Sequence, residues 1–141
     1  MTYTEQQLRQ KIIDVLVGDG LTLSPVAFNL KKAPGQIIDK RFDVDLGDTL
    51  DTNKVRQTAG NGFRARNAVR VGLVTKLNPH DSKRAGDEAS RRQNRIRVLM
   101  MDHASFPGIR VLSTRTSQRT STADAIVSDL FFDVEYQHPL V

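Results

Sequence analysis

The segment Ala125-Ile126-Val127-Ser128-Asp129-Leu130-Phe131-Phe132-Asp133-Val134-Glu135-Tyr136 decides how this chain is read. Ile126, Leu130, Phe132, Val134 and Tyr136 alternate with Val127, Asp129, Phe131, Asp133 and Glu135. A period of two puts one set on each face of a pleated strand. Two other segments share the pattern. From Arg66 to Leu77, Val69, Val71, Leu73 and Leu77 face one way, and Arg70, Gly72, Val74 and Lys76 the other. From Ile38 to Leu46, the apolar face is Ile38, Phe42, Val44 and Leu46, and the polar face Asp39, Arg41, Asp43 and Asp45. Strands with one apolar and one charged face need a cover on one side only. That predicts an antiparallel sheet with helices on a single face.

Two segments supply the helices. Thr4 followed by Gln7 is a capping-box pattern, after which Leu8, Ile12, Val15 and Leu16 share a helical face and Gly18 and Gly20 end it. A second helix follows Asn78-Pro79-His80-Asp81-Ser82, with Asp81 or Ser82 as N-cap. Its buried stripe is Ala85, Ala89, Ile96 and Leu99 or Met100, while Arg91, Arg92, Arg95 and Arg97 face outward. Between the paired strands, residues 47–65 are almost devoid of apolar side chains and read as a long, mobile hairpin loop. Leu21 to Leu30, broken by Pro25, suits an edge strand, and Pro34-Gly35 a turn. Phe106-Pro107-Gly108 turns into a short strand, Ile109 to Leu112, followed by a polar connection to Thr122. The expected fold is α+β: a mainly antiparallel sheet of four to five strands, two helices on one face and a long hairpin loop, in one domain spanning 1–141.

Composition narrows the class. With 38% hydrophobic and 26% charged residues, the chain has enough apolar content to escape wholesale disorder. The absence of cysteine excludes disulfides, thiolate metal sites and a cysteine nucleophile. No run approaches the roughly 18 apolar residues of a membrane span. The start, Met1-Thr2-Tyr3-Thr4-Glu5-Gln6, lacks the basic and apolar stretches of a signal peptide, so a soluble cytoplasmic protein is expected. Charge is unevenly placed: residues 1–53 carry net −2, residues 54–119 net +11, and residues 120–141 net −4. A basic middle between acidic ends suits a polyanion or head-to-tail contacts between copies, and also an ordinary solvated surface.

No catalytic, cofactor or metal motif stands out; glycine-rich nucleotide loops and paired metal-binding histidines are missing. His80, His103 and His138 are scattered. The carboxylates Asp39, Asp43 and Asp45, with Asp129, Asp133 and Glu135, would hold Mg²⁺ for phosphodiester cleavage if their strands were neighbours. The simpler explanation is the charged outer face of amphipathic strands. For nucleic acid, the arginines of the 54–66 stretch and the second helix are the candidates, but only Phe63 offers a stacking ring among them.

The arrangement as a whole resembles the tail-terminator proteins of long-tailed bacteriophages. The likeness is carried by Arg70-Val71-Gly72-Leu73-Val74, by Asp87 to Asp102 leading into Phe106-Pro107-Gly108-Ile109, and by Ala123 to Tyr136. It covers nearly the full chain as a pattern of elements. The resemblance implies a homohexameric ring seated on the tail-tube protein in the virion, built in the host cytoplasm. Such a ring ends tube growth and meets the head-completion or connector protein, while DNA passes through without specific binding. It implies no enzymatic activity, no cofactor and no membrane. It further implies ring or tube contacts for Lys54, Arg56, Arg64 and Arg66, with Arg91, Arg92 and Arg95 as a second patch. The basic 54–66 stretch departs from the acidic lining expected of a DNA conduit. Other neck or head-completion ring proteins fit the same pattern. A small basic nucleic-acid-binding protein and a Mg²⁺-dependent nuclease are the alternatives of another class.

Overall fold

Two 14-residue strands, β4 (Phe63–Lys76) and β7 (Ala125–His138), pair antiparallel along their whole length, from Phe63 opposite His138 to Lys76 opposite Ala125. The computed structural model describes residues 2–23, 39–51, 62–77, 82–114, 118–121 and 125–139, and builds everything else around this pair. Helix α1 (Glu5–Gly18) leads to β1 (Thr22–Leu23), β2 (Arg41–Leu46) and β3 (Leu50–Asp51) ahead of β4. Helix α2 (Ser82–Met100), β5 (Arg110–Thr114) and β6 (Gln118–Ser121) precede β7. The sheet order is β1-β2-β4-β7-β5, with β3 beside β4 and β6 beside β7. Among the described residues only β1, parallel to β2, departs from antiparallel pairing.

The fold is therefore α+β with both helices on one face, as the alternation predicts. Phe42, Val44, Val69, Val71, Leu73, Leu130, Phe132, Val134 and Tyr136 are buried on the covered face. Leu8, Ile12, Ile13 and Leu16 of α1 and Ile96 and Met100 of α2 pack in the same cluster. Each such side chain contributes about 1.5–3 kcal/mol by leaving water. Helix α1 begins with the expected capping box, Thr4 Oγ1 accepting from the Gln7 amide at 3.2 Å and Gln7 Oε1 from the Thr4 amide at 3.0 Å. Among the described residues the sheet has seven strands instead of four to five. The additions, β3 and β6, are two and four residues long, and β6 is exposed throughout, so neither carries the alternation that reveals a strand.

The 47–65 segment is also shorter as a loop than expected. β3 extends the hairpin with Leu50 opposite Arg66, and β4 begins at Phe63, so Arg64 and Arg66 stand in a paired strand. The register slips by one residue between Leu46–Val69 and Leu50–Arg66. Asn67, fully buried, stitches the slip. Its amide donates to Gly47 O at 2.9 Å and Thr49 Oγ1 at 3.0 Å, and its Oδ1 accepts from the Tyr136 hydroxyl. Burial, with the Glu5 charge adding to it, pushes the Tyr136 phenol up to about 12, so this donor stays protonated. One other expectation shifts: Asp39 sits in a turn before β2. Of the Leu21–Leu30 edge strand, Thr22–Leu23 forms β1 at the sheet edge, and residues 24–30 lie outside the described residues. The Pro34-Gly35 turn and the Asp81 cap lie outside the described residues.

A second polar node joins α1 to the end of β7. His138 Nε2 meets Glu5 Oε2 at 2.9 Å and Nδ1 meets Pro139 O at 2.8 Å. Both partners only accept, so these contacts favour the protonated ring, which donates from both nitrogens. Phe63 stacks on it at 4.7 Å with an 18° interplanar angle. Burial pulls the His138 pKa down, but the bonds to Glu5 and Pro139 outweigh it and the net shift is upward. The same bond draws the Glu5 carboxyl below its ordinary range. Beside the node, Gly62 has φ +82°, and a Cβ there would lie 1.7 Å from His138 O.

Gly62→Ala is expected to cost about 3 kcal/mol or more, because both backbone conformation and space oppose a side chain; chemical denaturation measures this. The node also predicts a pH dependence. The raised His138 pKa stabilises the fold fully below the ordinary imidazole value of 6.5, and this is lost as pH rises through the folded-state value. The lowered Glu5 value acts oppositely, its contribution disappearing as pH falls below 4.5. Denaturation midpoints should therefore decline above pH 6.5, and His138→Gln should flatten that decline.

Candidate functional site

The sheet face without helices carries charge in register. Asp43, Gly72 and Asp129 lie side by side on β2, β4 and β7, and Asp45, Arg70 and Phe131 form the adjacent row. Gly72 leaves a hollow between two carboxylates, and Arg70 lies across it. Its guanidinium binds Asp43 at 2.9 Å, Asp129 at 2.7 Å and, more closely still, Asp45. A Cβ at Gly72 would fall 2.5 Å from Asp43 Oδ1 and 2.6 Å from Arg70 Nη1. The glycine is thus required by close approach of side chains above it. Burial alone would lower the Arg70 pKa, but Asp45, Asp43 and Asp129 more than offset it, and the net shift is upward.

The remaining β4 arginines follow a rule. Arg64 stands opposite Gln137 but pairs with Glu135 at 3.9 Å, and Arg66 stands opposite Glu135 but pairs with Asp133 at 3.0 Å. Arg70, opposite Phe131, likewise reaches Asp129. Each leans diagonally to the residue two positions back on β7. These ladders bear directly on the Mg²⁺ reading. β2 and β7 are separated by β4, whose arginines occupy the space between their carboxylates. Asp39 is elsewhere altogether, accepting from the Lys76 amide at 2.9 Å and from Arg92 at 2.8 and 3.0 Å. Among the described residues, no group of three or more His, Asp or Glu side chains could hold a metal.

The lean of Arg70 leaves a gap behind it. A cleft of about 270 Å³ opens on this face, mainly apolar, between Ala68, Phe131, Asp45 and the stem of Arg70. Its floor lies where Gly47 begins the register slip, so two small residues, Gly47 and exposed Ala68, create the space.

On the opposite side of the sheet, α2 presents the other candidates. Arg91 is 70% exposed and pairs with Glu88 at 3.1 Å. Arg95, 56% exposed, pairs with Asp19 at 2.8 Å and ties α2 to the end of α1. Arg92 corrects the expectation of an outward-facing side chain. It is only 13% exposed, bound to Asp39 at 2.8 Å and Glu88 at 3.1 Å beside a polar cleft of about 300 Å³. These bonds, Arg92's first, hold the Asp39 carboxyl below its usual range. The two expected patches are therefore not brought together: Arg64 and Arg66 project from the open sheet face, α2 covers the other. Lys54 and Arg56 lie outside the described residues.

Much of the basic middle is thus neutralised within the chain by the acidic ends. Arg92 and Arg95 pair with Asp39 and Asp19 from the first part, Arg64 and Arg66 with Glu135 and Asp133 from the last, and Arg70 with both. No protein-family model and no curated protein matches this chain. Among the described residues no helix is long and apolar enough to cross a membrane.

Two features escaped the sequence reading. The Arg70 clasp was signalled by a glycine inside a strand two residues from an arginine, without showing which carboxylates it served. The exposure of Val98 (59%) and Met101 (51%) at the end of α2 had no signal, since helical spacing assigns them as readily to a core.

Arg70→Met should destabilise by about 2–4 kcal/mol, because Asp43, whose side chain is 7% exposed, loses its counter-ion. Asp45→Asn, at a side chain 59% exposed, should cost less than about 1 kcal/mol. Urea denaturation of both variants measures the difference.

Proposed function

We propose that this chain is a ring-forming virion protein of the tail-terminator type, capping a phage tail tube and joining it to the head connector. The observation that carries the reading is the order of elements: an N-terminal helix, a hairpin with a long insertion, a helix that ends at Met100 ahead of the Phe106-Pro107-Gly108 turn, and a long final strand. That order is the one by which the sequence resembles those proteins.

Several local features suit a subunit of an assembly. Tyr3 binds the Phe106-Pro107-Gly108 turn through its hydroxyl, donating to Pro107 O at 2.6 Å, and its amide donates to Gln137 O at 2.8 Å. This locks the N-terminal segment and the end of β7 into one rigid unit. Among the described residues both helices pack on one face of the sheet, and Val98 and Met101 at the end of α2 are exposed. The clefts hold paired charges or apolar walls, a surface suited to contact with protein. The function follows as mechanical: a subunit whose contacts with its neighbours close a ring of the tube's diameter, leaving no surface for a further tube ring.

Added to polymerising tail-tube subunits, the purified protein should end growth and appear by electron microscopy as six-membered rings seated on tube ends. Tubes of unchanged length with bare ends would refute the reading. Salt-sensitive DNA binding in place of ring formation would move it to the nucleic-acid class.

A further inference from the structure

We propose that the protonated His138 ring is a catch holding both roots of the hairpin insertion, Thr49 to Asp51 on one side and Gly62 on the other, and that loss of its proton loosens them together.

The contacts form one chain. Glu5 Oε1 accepts from the Thr49 hydroxyl at 2.9 Å, and Glu5 Oε2 meets His138 Nε2 at 2.9 Å. On the far side of the ring, Nδ1 meets Pro139 O at 2.8 Å. Thr49 stands immediately before β3 and accepts from Asn67 at 3.0 Å, so the same link reaches the register slip. Pro139 lies against the other root, since a Cβ at Gly62 would fall 2.9 Å from Pro139 Cα. Gly62 leads directly into Phe63, whose ring stacks on His138. One carboxylate and one imidazole therefore span the two stems, β3 and β4, from which the insertion springs.

A neutral imidazole has a single N–H and cannot serve two acceptors. Its second nitrogen would point a lone pair at an oxygen 2.8 or 2.9 Å away, so the ring must abandon one contact. The carboxylate is the stronger acceptor and keeps the remaining N–H, which leaves Pro139 O without its donor. The bond to Glu5 then ceases to be an ion pair. With a side chain 42% exposed, Glu5 has water as an alternative partner, and its hold on Thr49 weakens. Both roots thus answer to one proton.

The surroundings leave the switch to this pair. Among the described residues Glu5 is the charged group that meets the ring. Phe63 of β4 stacks on it, and Tyr136 of its own strand, 6.3 Å away, stays protonated. Arg64 and Glu135, near it on the ladder, point to the opposite sheet face. The upward shift of His138 places the change above the ordinary imidazole value of 6.5.

Amide hydrogen exchange of the full chain, followed by NMR beside the ring resonances of His138, tests the catch. As His138 loses its proton, protection of the amides from Thr49 to Asp51 and of Gly62 and Phe63 should fall at least about fivefold, with the midpoint of the ring. Amides of β6, at the far end of β7, are the reference and should change less than about twofold. Root amides that follow the reference, or that respond with a different midpoint, overturn the proposal. His138→Gln should abolish the response at both roots, and a response that survives there refutes the catch. Thr49→Val should abolish it at β3 and leave it at Gly62 and Phe63, whereas a β3 response persisting in this variant refutes the path through Glu5. The titration of the unaltered chain decides by itself if either variant fails to fold.

Discussion

The pairing of β4 with β7 is the constraint on which the rest of this molecule depends. Fourteen residues of each strand stand opposite one another, with apolar side chains on one face and charged ones on the other. A one-residue slip would exchange the two faces, placing Val69, Val71, Leu130 and Phe132 in water and the arginine ladder under the helices. The specialised contacts defend this register. Gly62 fits against the His138 carbonyl where no side chain could, and Asn67 with Tyr136 secures the one place where the neighbouring strand shifts. The node joining His138, Phe63 and Glu5 then fastens α1 to the end of the same ladder.

Electrostatics here serves the fold before it serves any partner. A chain with net +5 and a basic centre suggests a surface for polyanions. In three dimensions the acidic ends fold back onto that centre, and Arg64, Arg66, Arg70, Arg92 and Arg95 each meet a carboxylate from outside the basic segment. Binding a phosphate backbone through these five arginines would require breaking those pairs. The partly buried clasp around Arg70 resists this more than the exposed pairs, since removing one member strands a charge away from water.

The one-sided cover of the sheet links fold to proposed role. Among the described residues both helices occupy one face; the other buries Val74, Ala125 and Val127 at one end and carries the Arg70 clasp with a cleft beside Gly47 and Ala68. A subunit with unlike surfaces on its two sides is suited to closing a ring, and an unlike pair of surfaces cannot be satisfied by a two-fold dimer.

The sequence by itself determined the class of fold, the face each long strand buries, the capped first helix and the buried stripe of the second. These follow from periodicity, which is a local property: Phe132 and Val134 read as buried whatever their neighbours. It did not reveal β3 and β6, because a short or fully exposed strand owes its existence to the partner it borders. It misplaced Arg64 in a loop for the same reason, since only pairing with β7 extends β4 back from Arg66 to Phe63. Tertiary structure alone decided that Arg92 turns inward to Asp39, that Gly72 makes room for Arg70, and that the two arginine patches lie on opposite sides of the sheet. Each of these depends on which distant segment arrives alongside, and no local spacing encodes that.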